Sequence, residues 1–170
     1  MDRSHLPIPP DPSTIKLTDI HNCTNIIFNQ RIDGYKPYYF LSNYYTSAPI
    51  TVQNIKFPTS EHYYQWQRFQ DPIIKNRIFN AVTPDIASQI AQTNNYLLIP
   101  KFDINGAMLN ALRAKFNQYP ELGNELLLTG NRPLVQHNID EVYWSDGGDG
   151  SGANNLGRLL AQVRQELTLK

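Results

Sequence analysis

The run Phe57-Pro58-Thr59-Ser60-Glu61-His62-Tyr63-Tyr64-Gln65-Trp66-Gln67-Arg68-Phe69 sets a lone carboxylate among aromatic, amide and guanidinium groups. A helix starting near Thr59 or Ser60 places Glu61, Tyr64, Gln65 and Arg68 on one polar face. His62, Trp66 and Phe69 fall on a second, apolar face. Every group on the polar face directs hydrogen bonds, which is the composition of a pocket wall. A carboxylate in that setting suits stabilisation of positive charge, or service as nucleophile or base. The positive end of the helix dipole, worth about 0.3–1 kcal/mol, favours its ionised form, so it is expected to be a poor general acid at neutral pH. The plain alternative is an acid placed in a first turn by the dipole alone.

The second chemically loaded stretch runs from Asp140 to Gly157, Asp140-Glu141-Val142-Tyr143-Trp144 followed by a glycine-rich loop and Ala153-Asn154-Asn155-Leu156-Gly157. A glycine-rich loop feeding a helix can aim backbone N–H groups at an anion, which makes it a candidate phosphate cradle. The competing reading is a surface loop capped by Asn154 or Asn155. One helical turn would bring Asp140 and Trp144 together, an indole for stacking and a carboxylate for a hydroxyl or ring nitrogen. Ordinary core filling also accounts for Trp144. Asn43, in Phe40-Leu41-Ser42-Asn43-Tyr44, is either a substrate contact or a turn residue.

Several elements must position these groups. Residues 1–24, with Pro7, Pro9, Pro10 and Pro12, read as an extended arm or a disordered tail, and 25–170 as one domain. Asn25 to Asn29, Tyr38 to Leu41, and the pair Ile50–Val52 and Ile55–Phe57 around Gln53-Asn54 suggest a small antiparallel sheet. From Thr59 onward helices dominate. Thr83-Pro84-Asp85 opens one whose Ile86, Ala87, Ile90 and Ala91 share a face. Met108, Leu109, Leu112 and Phe116 form the next stripe. Pro120 starts a helix ending at Thr129-Gly130, and the last helix turns Leu156, Leu159, Leu160, Val163 and Leu167 inward. The fold class expected is α+β, a mainly helical single domain.

With 170 residues and 41% hydrophobic content, the chain suffices for one core. Fifteen basic and fifteen acidic residues balance, so an anionic ligand has to be caught locally. The single cysteine, Cys23, excludes an internal disulfide and fits a reducing compartment. No stretch reaches the roughly 20 apolar residues of a membrane span, which points to a cytosolic protein without a membrane partner. His5, His21, His62 and His137 lack metal-ligand spacing, so no metal and no cofactor are expected.

Taken in order, these blocks resemble the NADAR, or YbiA-like, superfamily. The carriers are Phe40-Leu41-Ser42-Asn43-Tyr44, Pro58-Thr59-Ser60-Glu61-His62-Tyr63-Tyr64-Gln65, Lys115-Phe116, Leu126 to Gly130, Asp140 to Trp144, and Gly150 to Leu160, spanning about Ile26 to Leu167. The resemblance implies an N-glycosidase acting on phosphorylated pyrimidine intermediates of riboflavin biosynthesis. Alternatives are removal of ADP-ribose from guanine, nucleic acid included, or a non-catalytic ADP-ribose-binding module. It implies Glu61 and Asp140 as the catalytic acids. Substrate contacts would come from Asn43, Tyr64, Arg68, Trp144, Gly152, Asn154 and Asn155. The chain departs from the family pattern in three places. Tyr96 to Asp103 lacks the tryptophan many members carry, leaving Tyr96 or Phe102 as substitutes. Leu134-Val135-Gln136 has an amide where members often have an acid, and Ser145 follows Trp144 where a glycine is usual.

Overall fold

The computed structural model describes residues 25–29 and 36–169. The proline-rich arm, Cys23, His5 and His21 lie outside the described residues. The elements are β1 (Ile26–Phe28), a 3-10 helix (Lys36–Leu41), β2 (Ile50–Val52), β3 (Ile55–Phe57), α1 (Ser60–Gln67), α2 (Pro72–Phe79), α3 (Pro84–Thr93), a short 3-10 turn (Asn95–Leu97), α4 (Ile104–Gln118), α5 (Pro120–Leu128), β4 (Leu134–Gln136) and α6 (Asn155–Thr168). The fold is mixed α+β and mainly helical, as the sequence pattern implied.

Strands β2 and β3 form the expected antiparallel hairpin, with Ile50 opposite Phe57 and Val52 opposite Ile55. Its two-residue turn holds Gln53 and Asn54 at φ 51° and 63°, the left-handed geometry that matches the twist of paired strands. The other two strand expectations are corrected. Tyr38 to Leu41 winds into the 3-10 helix instead of a strand. Strand β1 pairs in parallel with β4, Ile26 opposite Leu134 and Phe28 opposite Gln136, closing the chain across almost the whole domain. A three-residue strand whose partner lies more than a hundred positions away leaves no local signal.

The main core gathers Phe28, Leu41, Tyr64, Met108, Leu112, Phe116, Leu126, Leu156, Leu160 and Val163 from β1, the first 3-10 helix, α1, α4, α5 and α6. Helix α4 runs through its middle and contributes the predicted stripe. A second cluster joins Phe69 to Ile74, Ile78, Ala87 and Ala91 between α2 and α3. Ile86, expected on that inward face, stands partly exposed. Helix α1 bridges the two clusters, so one of its faces is held by α4 and the hairpin while its start abuts the Ser42-Asn43 segment.

Candidate active site

Helix α1 begins where the sequence put it. The Thr59 hydroxyl accepts the N–H of His62 (3.2 Å) and also meets His62 Nδ1 (2.8 Å). His62 Nε2 lies 3.0 Å from the carbonyl of Ala81, so that nitrogen carries the proton and Nδ1 accepts from Thr59. Burial holds His62 below its ordinary pKa, which keeps the ring neutral in this bridge. The histidine beside Glu61 therefore locks the start of the helix to the α2–α3 connection.

Glu61 is 3% exposed. Its oxygens are held separately: Gln65 Nε2 donates to Oε1 (2.7 Å) and Asn43 Nδ2 to Oε2 (2.5 Å). Its backbone N–H donates to the Asn43 carbonyl (3.0 Å), so acid and amide are joined at two points. Arg68 Nη1 donates to Gln65 Oε1 (2.7 Å), and its guanidinium lies over the Tyr64 ring, 5.4 Å from the centroid. The polar stripe thus becomes a relay from a buried carboxylate to a half-buried guanidinium. Each carboxylate oxygen keeps a second acceptor direction, and Asn43 Oδ1 is buried with no hydrogen-bond partner among the described residues.

Burial raises Glu61 to a pKa of about 7, against the lowering effect of the Gln65 and Asn43 hydrogen bonds and the Arg68 charge. This corrects the expectation of a carboxylate held firmly ionised by the helix dipole. The dipole is a fraction of a kcal/mol, whereas removing a carboxylate from water is a far larger effect. Burial likewise pushes the Tyr64 phenol up to about 12, so it stays protonated.

Trp144 meets Tyr64 edge to face at 5.6 Å and Tyr143 at 5.0 Å, which brings the second predicted region against helix α1. The Asp140–Trp144 segment is a series of bends and not a helical turn, because Glu141 captures the backbone N–H groups a helix would use. Asp140 itself is exposed.

The glycine-rich loop has already used most of its donors. Gly147 N–H goes to the Glu141 carbonyl, Gly148 and Ser151 to the carboxylates of Asp146 and Asp149, Gly152 to the Asp146 carbonyl, and Ala153 and Asn154 to the carbonyls of Val142 and Ser145. The first N–H groups of α6, from Asn155 and Leu156, donate to the carbonyls of Tyr143 and Trp144. The loop is built to hold Trp144, not laid open as a phosphate cradle. Asn154, at φ 49°, spans to β4, donating to the Leu134 carbonyl and accepting the Gln136 N–H. Asn155 Nδ2 donates to the Tyr143 carbonyl. A Cβ on Gly152 would lie 2.3 Å from the Ser145 carbonyl, and one on Gly157 2.0 Å from that of Leu134, so both glycines mark close backbone approach.

Of the two aromatic substitutes for the missing tryptophan, Phe102 packs against the core cluster that contains Tyr64, while Tyr96 is 76% exposed.

Sequence reasoning gave Lys115 no role. It is 1% exposed, and its ammonium donates to the Ser42 carbonyl (2.8 Å), the residue before Asn43. Burial lowers its pKa to about 7. The signal that would have found it is a lysine inside the stripe Met108, Leu112, Phe116, at three residues from Leu112.

Comparison with known proteins gives the chain its relatives. The NADAR domain model matches residues 27–168. The N-glycosidase YbiA of Escherichia coli (strain K12) is 37% identical over 128 residues, 74% of this chain and 80% of that protein. A riboflavin biosynthesis protein of Vibrio vulnificus (strain YJ016) is 37% identical over 148 residues, 83% of this chain and 40% of its own length. The NMR structure of the E. coli protein YbiA superposes with a TM-score of 0.73 at 36% identity, covering 85% of this chain and 86% of that one. With a family model spanning nearly all the described residues and a solved relative sharing the fold, this chain belongs to the NADAR domain family.

Proposed function

We propose that the protein is an N-glycosidase that hydrolyses the bond between ribose C1 and a nitrogen of a phosphorylated ribosyl-pyrimidine of riboflavin biosynthesis, acting in the cytoplasm. The observation that carries this reading is the buried Glu61 carboxylate, gripped on both oxygens and tuned to a pKa of about 7. Relatives named as N-glycosidases and as riboflavin biosynthesis proteins support the reaction and the substrate class.

The C1–N bond breaks with its electron pair leaving on nitrogen, and C1 shares positive charge with the ring oxygen. Glu61 stabilises that charge by the logic of glycoside hydrolysis. The oxygen of water bonds C1, and its proton reaches the departing nitrogen by way of the Glu61 carboxylate. A pKa near the operating pH lets one group both take and give that proton. The unpartnered Asn43 Oδ1 supplies a second acceptor for the same water. Trp144, edge-on to Tyr64, offers its face to the base or sugar. Arg68 is the charge for the phosphate. Asp140, exposed on its turn, is assigned the role of second acid. Gly152, Asn154 and Asn155 serve as the scaffold of Trp144.

The test is a substrate panel in 18O-labelled water. Release of ribose 5-phosphate carrying one 18O at C1 from the phosphorylated aminopyrimidine supports the proposal. No release, with turnover of ADP-ribosylated guanine instead, moves the substrate to the larger ligand.

A further inference from the structure

The turn from Asp140 to Ser145 carries two adjacent carboxylates with different surroundings. Asp140 is exposed, and its own N–H donates to Asn138 Oδ1 (2.9 Å). Glu141 is half-buried and folds back over the residues that follow it. Its Oε1 accepts the N–H of Tyr143 (2.9 Å), and its Oε2 accepts those of Trp144 (2.5 Å) and Ser145 (2.7 Å). Three backbone donors on one carboxylate are charge-assisted bonds, stronger than neutral ones. On the opposite side, the carbonyls of Tyr143 and Trp144 accept the first N–H groups of α6, at 3.1 and 3.2 Å. The peptide groups flanking Trp144 are therefore held at both donor and acceptor, and its ring stands against Tyr64 on the helix that carries Glu61.

We infer that Glu141 is a positioning residue of the active site, its carboxylate setting the angle at which Trp144 presents its indole beside Tyr64. This rests on the proposed role of Trp144 at the substrate. The carboxylate bonds the backbone N–H of Trp144, so its effect on turnover passes through the ring. Glu141→Gln is a sharp probe. It keeps one acceptor oxygen but turns an NH2 toward backbone N–H groups, setting donor against donor at one or more of the three contacts. Glu141→Asp keeps the charge on a shorter stem.

The chain has two tryptophans, so a Trp66→Phe background makes the emission report Trp144 alone. In that background Glu141→Gln is expected to red-shift the emission and raise acrylamide quenching. With the phosphorylated ribosyl-aminopyrimidine as substrate, KM rises about 3- to 10-fold, the range an aromatic contact spans, while kcat changes less. Glu141→Asp recovers most of the KM, and Glu141→Ala, which removes the acceptor without adding a donor, carries both readings should Glu141→Gln fail to fold. In a Trp144→Leu background, adding Glu141→Gln raises KM no further, the non-additivity expected of two residues acting as a unit. Parental emission with parental KM overturns the inference, as does an effect of equal size with and without the indole. A Trp144→Leu enzyme with parental KM contradicts the substrate role of Trp144, whereas the emission of Glu141→Gln still decides whether Glu141 sets the ring.

Discussion

Glu61 is where burial and function oppose each other. With the unfolded pKa near 4.5 and the folded one at about 7, the folded state binds more protons between those values. The contribution to stability is therefore fully present below about pH 4.5 and is lost as pH rises through 7. Its full size is on the order of 3 kcal/mol at 1.36 kcal/mol per pH unit. Glu61→Gln, which keeps the shape without the charge, is expected to be more stable than the parent at pH 8, with the difference vanishing toward pH 4.5. Urea denaturation across that range measures it, and equal stability at pH 8 contradicts the account. With Glu61 in its proposed role, the same titration is expected to govern catalysis. The logarithm of kcat/KM is expected to rise with pH to a bend near 7, since the ionised form meets the developing cation, and this limb disappears in Glu61→Gln. The spacing of Glu61, Gln65 and Arg68 was legible because i, i+3 and i+4 neighbours touch on a helix. The pKa was not, because burial depends on what the rest of the chain lays over the carboxylate.

The elements place these groups through a few contacts that can be removed singly. Thr59→Ala takes away both the cap of α1 and the partner of His62 Nδ1. A loss of about 1–2 kcal/mol is expected, read as a lower denaturation midpoint. Helix α6 is set against β4 with no room to spare. Gly157→Ala, which would gain up to about 1 kcal/mol of helix propensity in isolation, is expected instead to cost about 1–3 kcal/mol through the clash with the Leu134 carbonyl. Thermal unfolding of the variant checks the sign. Lys115 ties α4 to the segment presenting Asn43. In Lys115→Met the Ser42 carbonyl loses the ammonium and keeps only the longer bond from the Tyr45 N–H (3.2 Å), and a fall in kcat of about tenfold or more, with the fold retained by circular dichroism, is the expected outcome. Capping residues, proline starts and apolar stripes made the helices readable, because each signal acts within one or two turns. For Asn154 a capping role and for Gly157 a close backbone approach to a ligand or a neighbour were legible, but not the partner of either. Their meaning lies in β4, some twenty positions earlier, and a glycine-rich loop looks alike whether its N–H groups face an anion or its own carbonyls.

Across the whole molecule, the chain closes on itself by joining β1 to β4 and laying α6 against β4, so the loop bearing Trp144 arrives at helix α1 from the far end of the sequence. That meeting assembles the proposed site: Glu61 and its partners come from residues 43–68, the indole from residue 144. The sequence order of the blocks identified the family, yet only the packed structure separates Asp140, in solvent, from Glu141, turned onto the backbone of Trp144. The central claim is that the buried Glu61 carboxylate drives cleavage of an N-ribosyl bond. The measurement that tests it most directly is kcat/KM of the parent and Glu61→Gln for ribose 5-phosphate release from the phosphorylated aminopyrimidine, on samples shown to be folded. A fall of about 100- to 1000-fold is predicted, the size seen when a preorganised stabiliser of transition-state charge is removed. A variant that turns over within about threefold of the parent would contradict the account.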